Sequence, residues 1–292
     1  MPFTPQPTAD GSATFFSTEF DEAFHSHFGA YQEAEGKFVE PCRLRAQAQR
    51  KERLVLFDIC YGLGYNSAAA LAAIWDTNPT CRVELIALDI SDRPAQDAIA
   101  QGLLHHWPET VRDMLTILAQ NHQATTPQLQ AQFLCGDARQ TLRQLSSQTT
   151  QADAIFLDPF SPPKCPQLWT VDFLGVVAQS LAPNGYLATY SCAAAVRTAL
   201  LKAGLQIGAT PAIGRKAPGT VARWQTMDLP PLSLQEQEHL QTRAAVPYRD
   251  RTLNATTATI LAERAQAQST CSLESTGQWK RRWQQRDQSE CL

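Results

Sequence analysis

Long apolar runs are missing from this 292-residue chain. The longest, residues 68–75, is the size of a short helix and far below the ~20 residues that a bilayer-spanning helix needs, which predicts a protein with no membrane helix. Paired cysteines are missing too. The eight cysteines are scattered, with no CxxC spacing and no tight cluster. With no signal-peptide pattern at the start, this predicts a reducing, cytoplasmic setting and not a disulfide framework. Positive charge is not in excess: 25 Lys and Arg face 28 Asp and Glu, a net charge of -3. Any hold on a nucleic acid must therefore come from a local basic patch.

Several chemical signatures are absent as well. Without GxGxxG, a nicotinamide or flavin dinucleotide site is disfavoured, and without GK[ST] so is a phosphate-binding P-loop. No HExxH and no clustered His/Cys set supports a metal, and His25, His27, His105 and His106 do not supply one. No GxSxG elbow supports hydrolase chemistry. What the chain has is 43% hydrophobic and 18% charged residues, the balance of one folded unit large enough to bury a core unaided.

Residues 1–49 form a polar arm. Asp10-Gly11 marks a turn, residues 13–17 and 37–41 are candidate short strands, and residues 20–28 form a short helix or an extended arm. From Leu54 the pattern becomes an alternation of strands and helices. Residues 54–59, 83–89, 129–134, 152–157, 185–191, 204–210 and 220–226 read as seven strands, with helical segments between them. This order predicts an α/β fold with a mostly parallel sheet covered by helices on both faces. Ligands then belong outside the carboxyl ends of the strands. Four acids lie at or just past such ends: Asp58, Asp89, Asp137 and Asp158. Residues 230–292 change character, with helices rich in Gln and Glu. A tail there mixes Lys280, Arg281, Arg282 and Arg286 with Trp279 and Trp283, a mixture that suits phosphate contact and base stacking or, equally, a terminal helix docked by its indoles.

The first strand runs into Asp58-Ile59-Cys60-Tyr61-Gly62-Leu63-Gly64-Tyr65-Asn66. Two glycines allow close backbone approach, and an acid before them suits a cationic ligand without a pyrophosphate, such as S-adenosylmethionine. Asp89 can accept both hydroxyls of a ribose, and Asp137 beside Ala138 can accept from an adenine amino group. Each acid alone could be a helix cap. The fourth loop, Asp158-Pro159-Phe160-Ser161-Pro162-Pro163-Lys164-Cys165-Pro166-Gln167-Leu168-Trp169, is stiffened by four prolines. It can hold Asp158 above the sheet edge, with Phe160 and Trp169 as an aromatic wall, or with Trp169 packed only on the following helix, and with Lys164 toward phosphate or paired with an acid.

Together these segments resemble the methyltransferases that complete 5-methylaminomethyl-2-thiouridine at the tRNA wobble position, found as a domain of a bifunctional enzyme and as stand-alone proteins. The resemblance rests on residues 8–14, His25 to Ala30, Glu33, Gly62 to Asn66, the loop from Asp158 to Trp169, residues 187–191, Val196-Arg197, Gly214-Arg215-Lys216, Pro247 to Asp250 and Trp279 to Arg282. It implies a Rossmann-like class I methyltransferase at 50–229, with the arm at 1–49 and a helical extension at 230–292. The implied cofactor is S-adenosylmethionine and the implied partner tRNA, with no flavin, metal or membrane. Gly62, Gly64, Asn66 and Asp58 would lie by the cofactor, Asp89 at its ribose and Asp137 with Ala138 at the adenine. Asp158 would face the methyl group and the substrate amine; Phe160, Lys164, Arg197, Arg215 and Lys216 would meet the substrate. Cys60 stands where such proteins usually have glycine. Two other readings stay open: a different amine-directed methyl or aminopropyl transferase, and a non-catalytic RNA-binding protein of the same fold.

Overall fold

The computed structural model describes residues 2–145, 151–213 and 217–290, with the side chains of 286–290 excepted. Gly214, Arg215, Lys216, Ser146 and the Arg286 side chain therefore lie outside the described parts.

In the arm, two-residue strands β1 (Gln6–Pro7) and β2 (Ala13–Thr14) pair antiparallel, as do β3 (Phe16–Ser17) and β4 (Glu22–Ala23). The main sheet contains β5 (Arg53–Ile59), β6 (Arg82–Asp89), β7 (Gln123–Thr125), β8 (Leu129–Cys135), β9 (Ala152–Leu157), β10 (Leu181–Thr189), β11 (Gln206–Ala209) and β12 (Thr220–Arg223). Their order is β11-β12-β10-β9-β5-β6-β8-β7. Strands β10, β9, β5, β6 and β8 are parallel; β11, β12 and β7 join antiparallel.

The near-continuous apolar strands are explained by burial on both faces. In β5, Leu54 and Leu56 join one core while Val55, Phe57 and Ile59 join the other; in β9, Ala154 and Phe156 face the first and Ile155 and Leu157 the second. Each fully enclosed side chain of that size contributes ~1.5–3 kcal/mol. The alanine-rich helix Tyr65–Thr77 is buried along most of its length, and its small side chains let it sit close against the first core.

Three expectations need correction. Among the described residues the sheet has eight strands, not seven: β7 is a three-residue edge strand without an apolar pattern. Residues 37–41 are not a strand, because Glu35–Val39 is a π-helical turn continuing the helix Ala30–Ala34, and it buries Phe38 and Val39. The arm is also less polar in effect than in composition, since Phe15, Ala34, Phe38 and Leu44 belong to the same core as Leu54 and Leu56.

Because β5 continues to β6 and β8 on one side while β9 and β10 return on the other, the chain reverses its winding beside β5. Ligand crevices open at such a point.

Candidate active site

A cavity of about 410 Å³ opens at the carboxyl ends of β5, β6, β8, β9 and β10, within the usual range for a small-molecule site. Gly62, Asp89, Asp137, Ala138, Asp158 and Phe160 all line it.

The glycine loop builds the floor. Gly64 has φ +85°, and a Cβ there would meet the Tyr61 hydroxyl at 2.6 Å, so only glycine turns the chain into the helix that follows. Gly62 donates its N–H to Oδ2 of Asp89 at 2.9 Å, joining the first and second strand ends. Cys60, where a glycine was expected, lies at φ 68° and lines the cavity.

Asp58 is not in the cavity wall. Its side chain is fully enclosed below the loop and accepts from Ser67 Oγ at 2.6 Å, while its other oxygen has no hydrogen-bond partner. Burial pushes its carboxyl up to about 8; the Ser67 bond opposes this, and the charges of Asp158 and Asp89 add to it. Burial likewise pushes Asp89 up to about 6, against the N–H groups of Gly62, Ser91 and Ile90. Gly64 and Asn66 also lie behind the wall. The Asn66 amide reaches forward to Oδ2 of Asp158 at 2.9 Å.

The proline-rich loop is tied at both ends. Trp169 donates Nε1–H to the Phe160 carbonyl at 2.8 Å, and Tyr190 donates its hydroxyl to the Pro159 carbonyl at 3.0 Å. Trp169 is fully buried and so belongs to the core, not to an aromatic wall. The wall comes instead from the arm: Phe20 stacks on Phe160 with centroids 4.4 Å apart, and Phe24 meets Phe160 edge-on at 5.0 Å.

The arm also brings Glu19, Glu22 and Glu33 to the cavity. Glu22 accepts from the N–H and hydroxyl of Ser161 at 3.1 and 2.7 Å. Glu19 and Glu22 come from the β3–β4 hairpin and Glu33 from the helix Ala30–Ala34, and no local spacing in the sequence marks their approach to Asp158. Arg139, Cys165 and Tyr190 also line the cavity, from the helix after β8, the proline-rich loop and the turn after β10.

Of the expected substrate cations, Lys164 is exposed beside the cavity loop and pairs with Asp21 at 3.0 Å. Arg197 contradicts its expectation. It is 2% exposed and spends its guanidinium on Thr220, the Gly219 carbonyl and Glu236, which leaves it no path to a phosphate. Arg215 and Lys216 lie outside the described residues. In the tail helix Thr276–Glu290, Lys280 and Arg281 are exposed, but Arg282 binds Glu238 and Glu274, Trp283 donates to Glu238, and Trp279 stacks on His239.

Away from the cavity lining, Asp92, His122 and Cys135 bring three metal-ligand types within 4.8 Å of one another at the surface, a grouping that no sequence spacing announced. His122 Nε2 and Asp92 Oδ2 are already hydrogen bonded at 2.7 Å. No helix among the described residues is long and apolar enough to cross a membrane.

The donor set fits S-adenosylmethionine. Six carboxylates line the cavity (Glu19, Glu22, Glu33, Asp89, Asp137, Asp158) against two guanidinium groups (Arg93, Arg139), and the orphaned oxygen of Asp58 lies beneath. That excess calls for a cation, and a sulfonium with an α-ammonium group is one.

Comparisons agree with this chemistry. The model of a family described as S-adenosyl-L-methionine-dependent methyltransferase matches residues 94–225. The tRNA 5-methylaminomethyl-2-thiouridine biosynthesis bifunctional protein MnmC of Ralstonia nicotianae is 31% identical over 236 residues, which cover 76% of this chain and 34% of that protein. The protein of the same name from Azoarcus sp. is 32% identical over 236 residues, 74% of this chain and 35% of that one. The chain thus spans about a third of the length of these bifunctional relatives. The crystal structure of MNMC2 from Aquifex aeolicus superposes with a TM-score of 0.81 at 33% identity, over 92% of this chain and 86% of that one. On fold, cavity and sequence alike, the chain belongs to the MnmC-related S-adenosylmethionine-dependent methyltransferases, with the class I Rossmann-like fold.

Proposed function

We propose that this methyltransferase acts on the amine of a 5-aminomethyl-2-thiouridine at the tRNA wobble position. The observation that carries the reading is the acid-rich cavity with Asp158 at its mouth loop and an aromatic wall of Phe160, Phe20 and Phe24 beside it. A planar base bearing a cationic aminomethyl arm matches both halves of that surface. The name of the bifunctional relatives, tRNA 5-methylaminomethyl-2-thiouridine biosynthesis protein, supports the same choice.

In this reading Gly62, Asp89, Asp137 and Ala138 hold S-adenosylmethionine. Asp58, Gly64 and Asn66 shape the loop from behind. When bound, the cofactor supplies an electrophilic methyl group on a sulfonium. The substrate amine is largely protonated near neutral pH and must lose a proton before it has a lone pair to offer. Asp158, fixed by Asn66, accepts an N–H of the amine and turns the lone pair away from itself. A carboxylate is a weak base toward an ammonium, so orientation is the larger share of its work and proton uptake the smaller. The phenylalanine wall keeps water from the reacting nitrogen. Residues 50–229 act as the transferase, 1–49 as its substrate-side wall and 230–292 as an extension. Lys164 can exchange its exposed partner Asp21 for an RNA phosphate.

Mass spectrometry of wobble nucleosides tests the function, after incubation with S-adenosylmethionine and tRNA lacking the last methyl. A gain of one methyl on the aminomethyl nucleoside is expected, and no gain overturns the reading. A second reading, aminopropyl or methyl transfer to a small polyamine, draws on the extra acids Glu19, Glu22 and Glu33. Methylated or extended polyamine in place of modified tRNA would establish it.

A further inference from the structure

Asp137 does not hold its own position in the cavity wall. Its carboxylate accepts from Nε and Nη2 of Arg139 at 2.7–3.1 Å and from the Arg139 backbone N–H at 2.9 Å. The other arm of that guanidinium, Nη1, donates to Oδ2 of Asp250 at 2.8 Å and to the Ala255 carbonyl at 3.0 Å. Asp250 lies 111 residues further along the chain, beyond the last strand, and its side chain is fully enclosed.

The turn around Asp250 is organised for this one contact. Its second oxygen accepts from the N–H groups of Asn254 and Ala255 and from the Thr252 hydroxyl. Asp172, on the helix Val171–Gln179, accepts the Asp250 N–H at 2.7 Å. Gln140, next to Arg139, donates to the Leu253 carbonyl at 2.7 Å. A strap of residues 250–255 is thereby fastened behind the Asp137 turn.

We propose that Asp250 is a positioning residue for the cofactor site: through Arg139 it fixes the direction and the charge of the Asp137 carboxylate that meets the adenine end of S-adenosylmethionine. The proposal rests on the reading of Asp137 given above. Charge counting supports it. Asp137 and Arg139 alone form a neutral pair, and Arg139 itself lines the cavity with a long side chain able to swing into it. With Asp250, the cluster carries one net negative charge. The guanidinium is then held from behind by a planar two-sided bridge, and Asp137 keeps its strength as an acceptor. Removing Asp250 leaves Nη1 of a buried guanidinium short of its anion, a state that drives the side chain to find another partner.

The test compares S-adenosylhomocysteine with its inosine analogue, in which a carbonyl replaces the adenine amino group. Calorimetry gives both affinities for the wild type, Asp250→Asn and Arg139→Lys, with thermal melts of each variant alongside. The wild type should prefer the adenine form. Asp250→Asn should lose about tenfold in affinity for it and little for the inosine analogue, so the preference shrinks. Arg139→Lys, which leaves the strap's own acid intact but cannot bridge two carboxylates, should shrink it equally and serves if the first variant does not fold. Equal losses for both ligands, or no loss, overturn the proposal and leave the strap as a fastening of the extension. A wild type without preference overturns the adenine reading of Asp137, and the proposal falls with it.

Discussion

Asn66 donates its side-chain amide to Oδ2 of Asp158 at 2.9 Å. The bond joins the first turn after the glycine loop to the acid at the end of β9, across the crevice between two neighbouring parallel strands.

Asp158→Asn should therefore lower kcat by about a hundredfold or more, the usual scale for a positioned acid or base, while changing cofactor affinity little. Asn66→Ala should lower kcat by about tenfold through loss of a charge-assisted hydrogen bond. Steady-state kinetics with calorimetry on each variant checks both. Normal turnover in the asparagine variant would reduce Asp158 to a loop anchor.

Asp58 and Asp89 predict a pH dependence. Burial pushes Asp58 up to about 8 and Asp89 up to about 6 in the folded protein, against 3.8 for an ordinary aspartate. The folded state thus binds protons more tightly than the unfolded chain. The share of stability without ligand that these two groups supply should fall as pH rises from about 4 to about 8. A cationic ligand reverses the balance, so S-adenosylmethionine should bind with release of protons and more tightly toward the upper end of that window. Thermal melts across pH, and calorimetry in buffers of different ionisation enthalpy, measure the two effects. Asp58→Asn should flatten both.

Cys60 adopts φ 68°, a conformation that costs a side chain about 1–2 kcal/mol. Cys60→Gly relieves that cost and loses about 0.5–1 kcal/mol to backbone entropy. The variant should unfold at an equal or slightly higher denaturant midpoint and bind cofactor as before. A clear fall in midpoint would assign the Cys60 side chain a packing role instead.

In the tail helix, Lys280 and Arg281 are exposed while Arg282 is committed to Glu238 and Glu274. Reversing the charge of Lys280 and Arg281 should raise the KM for the proposed tRNA substrate, and each lost phosphate contact should flatten the salt slope by about 0.7–0.9. Arg282→Ala should lower the melting temperature and leave the slope alone. Kinetics at several salt concentrations separates the two groups.

Much of the site could be read from residue order, because an acid that ends an apolar run lands at the carboxyl edge of a parallel sheet almost by geometry. Asp89, Asp137 and Asp158 are found that way. Asp58 sits one step too early in β5 and points beneath the loop. Glu22 and Phe20 escaped because a two-residue pairing in the arm, with no periodicity to mark it, carries them to the cavity. Arg197 misled because a guanidinium in sequence does not disclose whether its partners are phosphates or, as here, Thr220, a carbonyl and Glu236. Strand β7 is too short to show a pattern, and the turn at Glu35–Val39 holds a Phe-Val pair that mimics one.

The strap at residues 250–255 also sets an order of events during synthesis. A ribosome that has released every strand through β12 has produced all the acids of the cavity, yet not the anion that steadies Arg139. The nascent sheet can form before the binding site is finished, so the cofactor should bind about tenfold more weakly to the emerging sheet and reach full affinity once the turn after Tyr248 has emerged.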